Sequence, residues 1–138
     1  MIFISLPVQD LAVSRRFYEG LGFSVNENFS DDTTACVVVS DQIFVMIQTH
    51  DRYAGFANLP VGNPREQSQH LLAISCESRE EVDELGRRAV AHGGTEVHGA
   101  EDLGFMYSIG FTDPDGHAWG PLWMDPAAAA NGPPEHGA

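Results

Sequence analysis

An order of strand, helix and three strands runs through this chain twice, and that duplication limits its fold more than any other feature. In the first copy residues 2–8 alternate as a strand, with Phe3, Ser5 and Pro7 on one side and Ile4, Leu6 and Val8 on the other. Asp10 then offers a carboxylate to cap a helix whose apolar residues Leu11, Val13, Phe17, Tyr18 and Leu21 recur at helical spacing, and Gly22 stops it. Residues 23–29, 34–39 and 43–48 read as three strands, with turns at Ser30-Asp31-Asp32 and Ser40-Asp41. In the second copy residues 70–76 form a strand, and Ser78 with Glu81 makes a capping box that opens a helix carrying Val82, Leu85, Ala89 and Val90 inward. Gly93-Gly94 ends that helix, and residues 95–98, 106–112 and 117–124 supply three more strands. The two helix starts lie 68 residues apart, and the last hairpins, near Asp41 and Asp113, lie 72 apart.

One such βαβββ module leaves a sheet with one face covered by its helix and the other bare. The expected fold is therefore α+β: two tandem modules whose curved mixed sheets enclose a cleft. Module one is 1–48, a linker without periodicity is 49–69, module two is 70–125, and 126–138 reads as a flexible tail of alanine, glycine and proline. At 138 residues the chain makes one globular unit.

Charge narrows the partners. A formal charge of -13, from 20 acidic against 7 basic residues, repels phosphate backbones and anionic lipid surfaces, so neither nucleic acid nor a membrane is expected. Cys36 and Cys76 lie in apolar runs and read as reduced core thiols. Without a basic leader or an apolar run approaching the ~20 residues that span a bilayer, the expected compartment is the cytoplasm.

The most specific motif is Asp113-Pro114-Asp115-Gly116, where proline suits the second position of a type I turn, the aspartates bond the turn backbone and glycine takes a positive φ. It joins two short, aromatic-rich strands. This turn and the strand through Gly120, with the run Leu6 to Leu11, Ser14, Phe17-Tyr18 and Leu21-Gly22-Phe23, resemble the vicinal-oxygen-chelate superfamily of glyoxalase I, bleomycin-resistance proteins and extradiol dioxygenases. The resemblance covers most of residues 1–125. It implies the cleft-forming fold, frequent dimerisation, and a divalent metal held by donors on four strands.

The resemblance places those donors at Phe3, at His70, at Val45 or Met46 depending on register, and at Gly120, where the family has a glutamate four residues after the turn glycine. Only His70 among them can ligate, and a catalytic centre needs three or more protein donors. No metal or other cofactor is therefore expected. Strand parity gives the expected cleft lining as Phe3, Ser5, His70, Leu72, Ile74, Met106, Ser108, Gly120 and Leu122, with Tyr53 and Phe56 of the linker as lid aromatics. His117 should face away as a hairpin residue, and His50, His92, His98 and His136 fall in loops, helix ends or the tail without ligand spacing.

The lining is apolar with few polar handles, so the expected function is metal-independent binding of a small hydrophobic or aromatic molecule, similar to sequestration by bleomycin-resistance proteins. Two rivals stand beside it. One is a metal-dependent lyase or dioxygenase whose ligands are displaced by one residue, since a single slip inverts every side chain's face. The other is a metal-free enzyme using His70 as general base. A small-molecule ligand and a homodimer are the expected partners.

Overall fold

Alternation along the first strand builds the first sheet. In the computed structural model, which describes residues 1–133, β1 (Ile2–Val8) and α1 (Leu11–Gly20) are followed by β2 (Ser24–Asn26), β3 (Thr34–Val38) and β4 (Ile43–Thr49). The sheet order is β1-β4-β3-β2, with β1 parallel to β4 and the other pairs antiparallel. Register sets Phe3 opposite Phe44 and Ser5 opposite Met46, so these four share one face. The other face carries Leu6, Val8, Val45 and Ile47, buried together with Phe17, Tyr18 and Leu21. Each such side chain contributes roughly 1.5–3 kcal/mol on burial. Asp10 caps α1 as expected, its carboxylate accepting from the Val13 N–H at 3.1 Å, and Gly22 follows at φ 105°.

Local hydrogen bonds override two expectations in this half. The strand expected over 23–29 stops at Asn26, because its side chain accepts from the Asn28 N–H at 3.0 Å and folds Glu27–Phe29 into a 3-10 turn. The linker begins with a short helix, α2 (His50–Ala54), started by the Thr49 hydroxyl accepting from the Arg52 N–H at 3.3 Å. A helix of this length shows no apolar stripe, which is why periodicity misses it.

The chain divides into two compact units, one of Met1–Gln69 with Pro114–His117, the other of His70–Asp113 with the residues from Ala118 on. The Asp-Pro-Asp-Gly turn thus closes a hairpin of the second module while its tip belongs to the first unit. There the Asp115 carboxylate accepts from the Gln9 N–H at 2.9 Å and Arg65 donates to the Pro114 carbonyl at 2.7 Å. His117 is 1% exposed, and its Nε2 donates to the Pro7 carbonyl at 2.7 Å. A residue read as an ordinary hairpin position is a buried donor to the first strand.

The second unit repeats the order with β5 (Leu71–Leu72), α3 (Arg79–Ala91), β6 (Thr95–Asp102), β7 (Met106–Thr112), β8 (Ala118–Trp119) and β9 (Leu122–Met124). Its sheet runs β5-β8-β7-β6, with β9 also on β7. Strands β8 and β9 are one run interrupted at Gly120-Pro121, because proline has no N–H for the ladder. Register is the same on both sides of the break, with Phe111 opposite Trp119 and Ser108 opposite Leu122, so Gly110 falls opposite Gly120. Strand β5 is shorter than the expected 70–76, yet backbone bonds from Gly120 N to Leu72 O (2.7 Å), Leu122 N to Ile74 O (2.9 Å) and Cys76 N to Leu122 O (2.7 Å) carry its pairing onward.

Ser78 caps α3 through the Glu81 N–H at 3.1 Å, and the Glu81 carboxylate reaches back to the Glu77 N–H at 2.7 Å. Val82, Leu85 and Ala89 are buried as expected, but Val90 is 56% exposed. The expected tail begins with a further helix, α4 (Pro126–Asn131), which Asp125 caps by accepting from the Ala127 N–H at 2.8 Å while Ala128 is buried. The rest of that tail from residue 134, including His136, lies outside the described residues. Among the described residues no helix is long and apolar enough to cross a membrane.

Candidate ligand site on the second sheet

Residues directly opposite one another in a sheet share a face, so the register of the second sheet assigns each side chain its side. Tyr107, Ile109 and Phe111 face α3: the Tyr107 hydroxyl donates to Asp83 at 2.6 Å, and a Cβ at Gly86 would come within 2.5 Å of Ile109 Cδ1. Trp119, opposite Phe111, and Leu72, opposite Trp119, lie on that side too. The open face carries Leu71, opposite Ala118, and the run Met106, Ser108, Gly110, Thr112 with its partners Ala118, Gly120, Leu122 and Met124.

This register corrects the expected parity of the fifth strand. Leu72 and Ile74 are out of phase with Gly120 and Leu122, because Leu71 pairs with Ala118 and Ser75 with Leu122, yet Leu72 still reaches the cavity that Gly110 and Gly120 line. His70 precedes β5 in phase with Leu72, and the head of the open face belongs to Leu71, 82% exposed. Met106, Ser108, Gly120 and Leu122 do share the open face as alternation requires. In the first sheet the register separates Val45, buried against the helix side, from Met46, which shares the face of Ser5. Phe3 is 58% exposed and stacks on Phe44 with ring centroids 5.0 Å apart. Of the lid candidates, Tyr53 is half-buried, and Phe56 is exposed beneath the Arg52 guanidinium, 4.9 Å from its ring centre.

The residue that sequence reasoning passed over is His98. A Cβ built at Gly110 would meet its ring at 2.7 Å, so the imidazole occupies the space that the missing side chain leaves on the open face. His98 Nδ1 lies 2.8 Å from the Gly99 carbonyl; a carbonyl only accepts, so Nδ1 carries a hydrogen, and in the neutral ring Nε2 is then the acceptor. Opposite Gly110, a Cβ at Gly120 would meet its nearest atom, the Ile109 carbonyl oxygen, at an ordinary contact distance of 3.6 Å. A cavity of about 190 Å³ lies here, lined by Leu71, Ala73, Val97 and Ala118 around the two glycines and His98, and reached also by Leu72, Phe111 and Trp119. The one signal in the sequence is a histidine in a strand beside a Gly110/Gly120 pair, visible only once register is known.

The donor set decides what the positions assigned to a metal can do. Phe3, Leu71 and Gly120 have no donor, Met46 offers a thioether, and His70 is out of phase. These residues do not fit a zinc, iron or nickel centre, which needs several nitrogen, thiolate or carboxylate ligands. Among the described residues no group of three His, Cys, Asp or Glu side chains is placed to hold an ion. Cys76 is no nucleophile either: burial, with Glu81 and Glu77 nearby, pushes its thiol up to about 11.

Residues 2–120 match the family model described as the Glyoxalase/Bleomycin resistance protein/Dioxygenase superfamily. No curated protein matches the chain in sequence. Among solved structures, the hypothetical protein SA1046 of S. aureus is similar over 90% of this chain and 93% of its own, with 24% identity and a TM-score of 0.77. A glyoxalase-related enzyme of Fulvimarina pelagi has 25% identity and a TM-score of 0.75, covering 89% of this chain and 86% of its own. The fosfomycin resistance protein FosX of Mesorhizobium loti has 17% identity and a TM-score of 0.69, covering 94% and 96%.

Proposed function

The chain belongs to the glyoxalase/bleomycin resistance protein/dioxygenase superfamily, and from that premise we propose that it binds a small aromatic molecule with a hydrogen-bond donor, without a metal, on the open face of its second sheet. The observation that carries this reading is the His98 imidazole seated over Gly110, opposite Gly120, at the wall of an apolar cavity. Leu71, Ala118 and the glycine backbones supply a flat apolar floor, and the bare Nε2 of His98 supplies one acceptor. A volume of about 190 Å³ suits a single substituted ring rather than a drug-sized body of roughly 300–1,000 Å³. Similar structures include a glyoxalase/bleomycin resistance protein and a fosfomycin resistance protein, and sequestration of such a molecule would serve resistance.

Calorimetric titration with p-cresol and with 4-methylanisole, its O-methylated counterpart, tests the reading. The phenol should bind about fivefold more tightly, the worth of one neutral hydrogen bond of ~1 kcal/mol. His98→Phe should erase that preference while retaining the apolar contribution. Equal affinity for both compounds in the native protein, or no binding of either, would sink the proposal, as would stoichiometric zinc, iron or nickel required for binding. The same lone pair favours a second reading, in which Nε2 of His98, rather than His70, takes a proton from a bound acid as general base. Turnover of a bound compound that His98→Gln abolishes would separate that reading from sequestration.

A further inference from the structure

On the helix side of the same sheet lies a larger space. Asp83, Gly86, Arg87, Val90 and Ala91 follow one another at the three- and four-residue spacing of a single helical face, and all five line a groove of about 520 Å³ between α3 and strands β6 and β7. Strand β6 is irregular where it lines the groove, its register shifting between Glu96 and His98 and again between His98 and Glu101. Ile109 Cδ1 lies where a side chain at Gly86 would begin, a Cβ there meeting it at 2.5 Å. Val90, which helical periodicity sends inward, is 56% exposed and lines the groove.

The groove's chemistry is apolar within and carries carboxylates at its edge. Ile109 and Phe111 form the floor, His98 lines it as well, and Asp83 and Glu96 present carboxylates. The Asp83 carboxylate accepts from Tyr107 and forms no ion pair among the described residues, whereas the Arg87 guanidinium is already paired with Glu84 at 2.6 Å. Val90 and Ala91 belong to the last turn of α3, where the helix dipole is negative and favours a cation. A net charge of -13 adds a long-range bias of the same sign. We propose that this groove is a second binding site, for a small organic ammonium whose apolar body lies on Ile109 and Phe111 and whose charged head meets Glu96 and the α3 C-terminus.

Amide chemical-shift titrations with 4-phenylbutylammonium, neutral 4-phenylbutanol and anionic 5-phenylpentanoate test it on the full chain. The ammonium should shift Gly86, Val90 and Ile109, bind about fivefold more tightly than the alcohol, and leave the carboxylate without measurable affinity. Glu96→Gln should remove most of the preference for charge. Ala91→Trp, at an exposed position that does not threaten the fold, should block the groove, whereas Ala118→Trp should obstruct only the cavity on the other face. The proposal is overturned if alcohol and ammonium bind alike, if the shifts fall on Leu71, Ala118 and Gly120 instead, or if Ala91→Trp leaves affinity unchanged.

Discussion

The two halves of this chain share an order of elements but differ in how tightly they close on themselves. In the first, β1 and β4 pair over seven residues, and Leu6, Val8, Val45 and Ile47 are buried on the helix side of the sheet. In the second, β5 is reduced to two residues, β6 is exposed along its whole length and carries two bulges, and Pro121 interrupts the last strand. Gly86 and Gly110 stand there with Ile109 and His98 packed where their side chains would begin. Both cavities, at α3 and at Gly120, lie in this second copy.

The sharpest way to break this comparison is a matched pair of truncations in the two leading strands. Leu6→Ala, at a residue 1% exposed, should cost about 3 kcal/mol, whereas Leu71→Ala should stay within about 0.5 kcal/mol, by chemical denaturation. Comparable losses at the two sites would mean that the open face of the second sheet is covered in solution, as a dimer formed through it would require.

Alkaline pH gives the next effect. The folded protein holds the Cys76 thiol protonated up to about 11 against an ordinary value of 9.0, so the folded state retains its proton where the unfolded chain loses it. The stability this contributes is fully present below pH 9 and is lost as pH rises toward 11. The loss should amount to roughly 2 kcal/mol and should vanish in Cys76→Ala. A denaturation series that is flat over this range in the native protein would refute the buried-thiol assignment. The smallest effect tests the cap: Ser78→Ala should cost about 1 kcal/mol, because Glu81 N–H loses its acceptor, and Asp10→Ala in the first half should cost a similar amount.

What could be read from the residues and what could not divides along the range of the interactions. Helix starts at Asp10 and Ser78 were legible because a cap acts within three residues, and the stripes of Phe17, Tyr18 and Leu21 and of Val82, Leu85 and Ala89 announce their own buried faces. The short α2 and α4 were not, since each rests on one capping oxygen and too few turns to show a period. The phase of Leu72 was not legible, because parity in a two-residue strand is fixed by its neighbour, here through the pairing of Leu71 with Ala118.

The sequence by itself determined the duplicated α+β order, the turn at Asp113-Pro114-Asp115-Gly116 and the absence of side-chain donors at Phe3 and Gly120, all properties of local chemistry or of residue identity. Tertiary structure decided that His98 fills the space over Gly110, that β6 shifts register twice against β7, and that His117 donates to Pro7. Those three depend on strand register and on contacts between residues far apart in the chain, which no local pattern of polarity encodes.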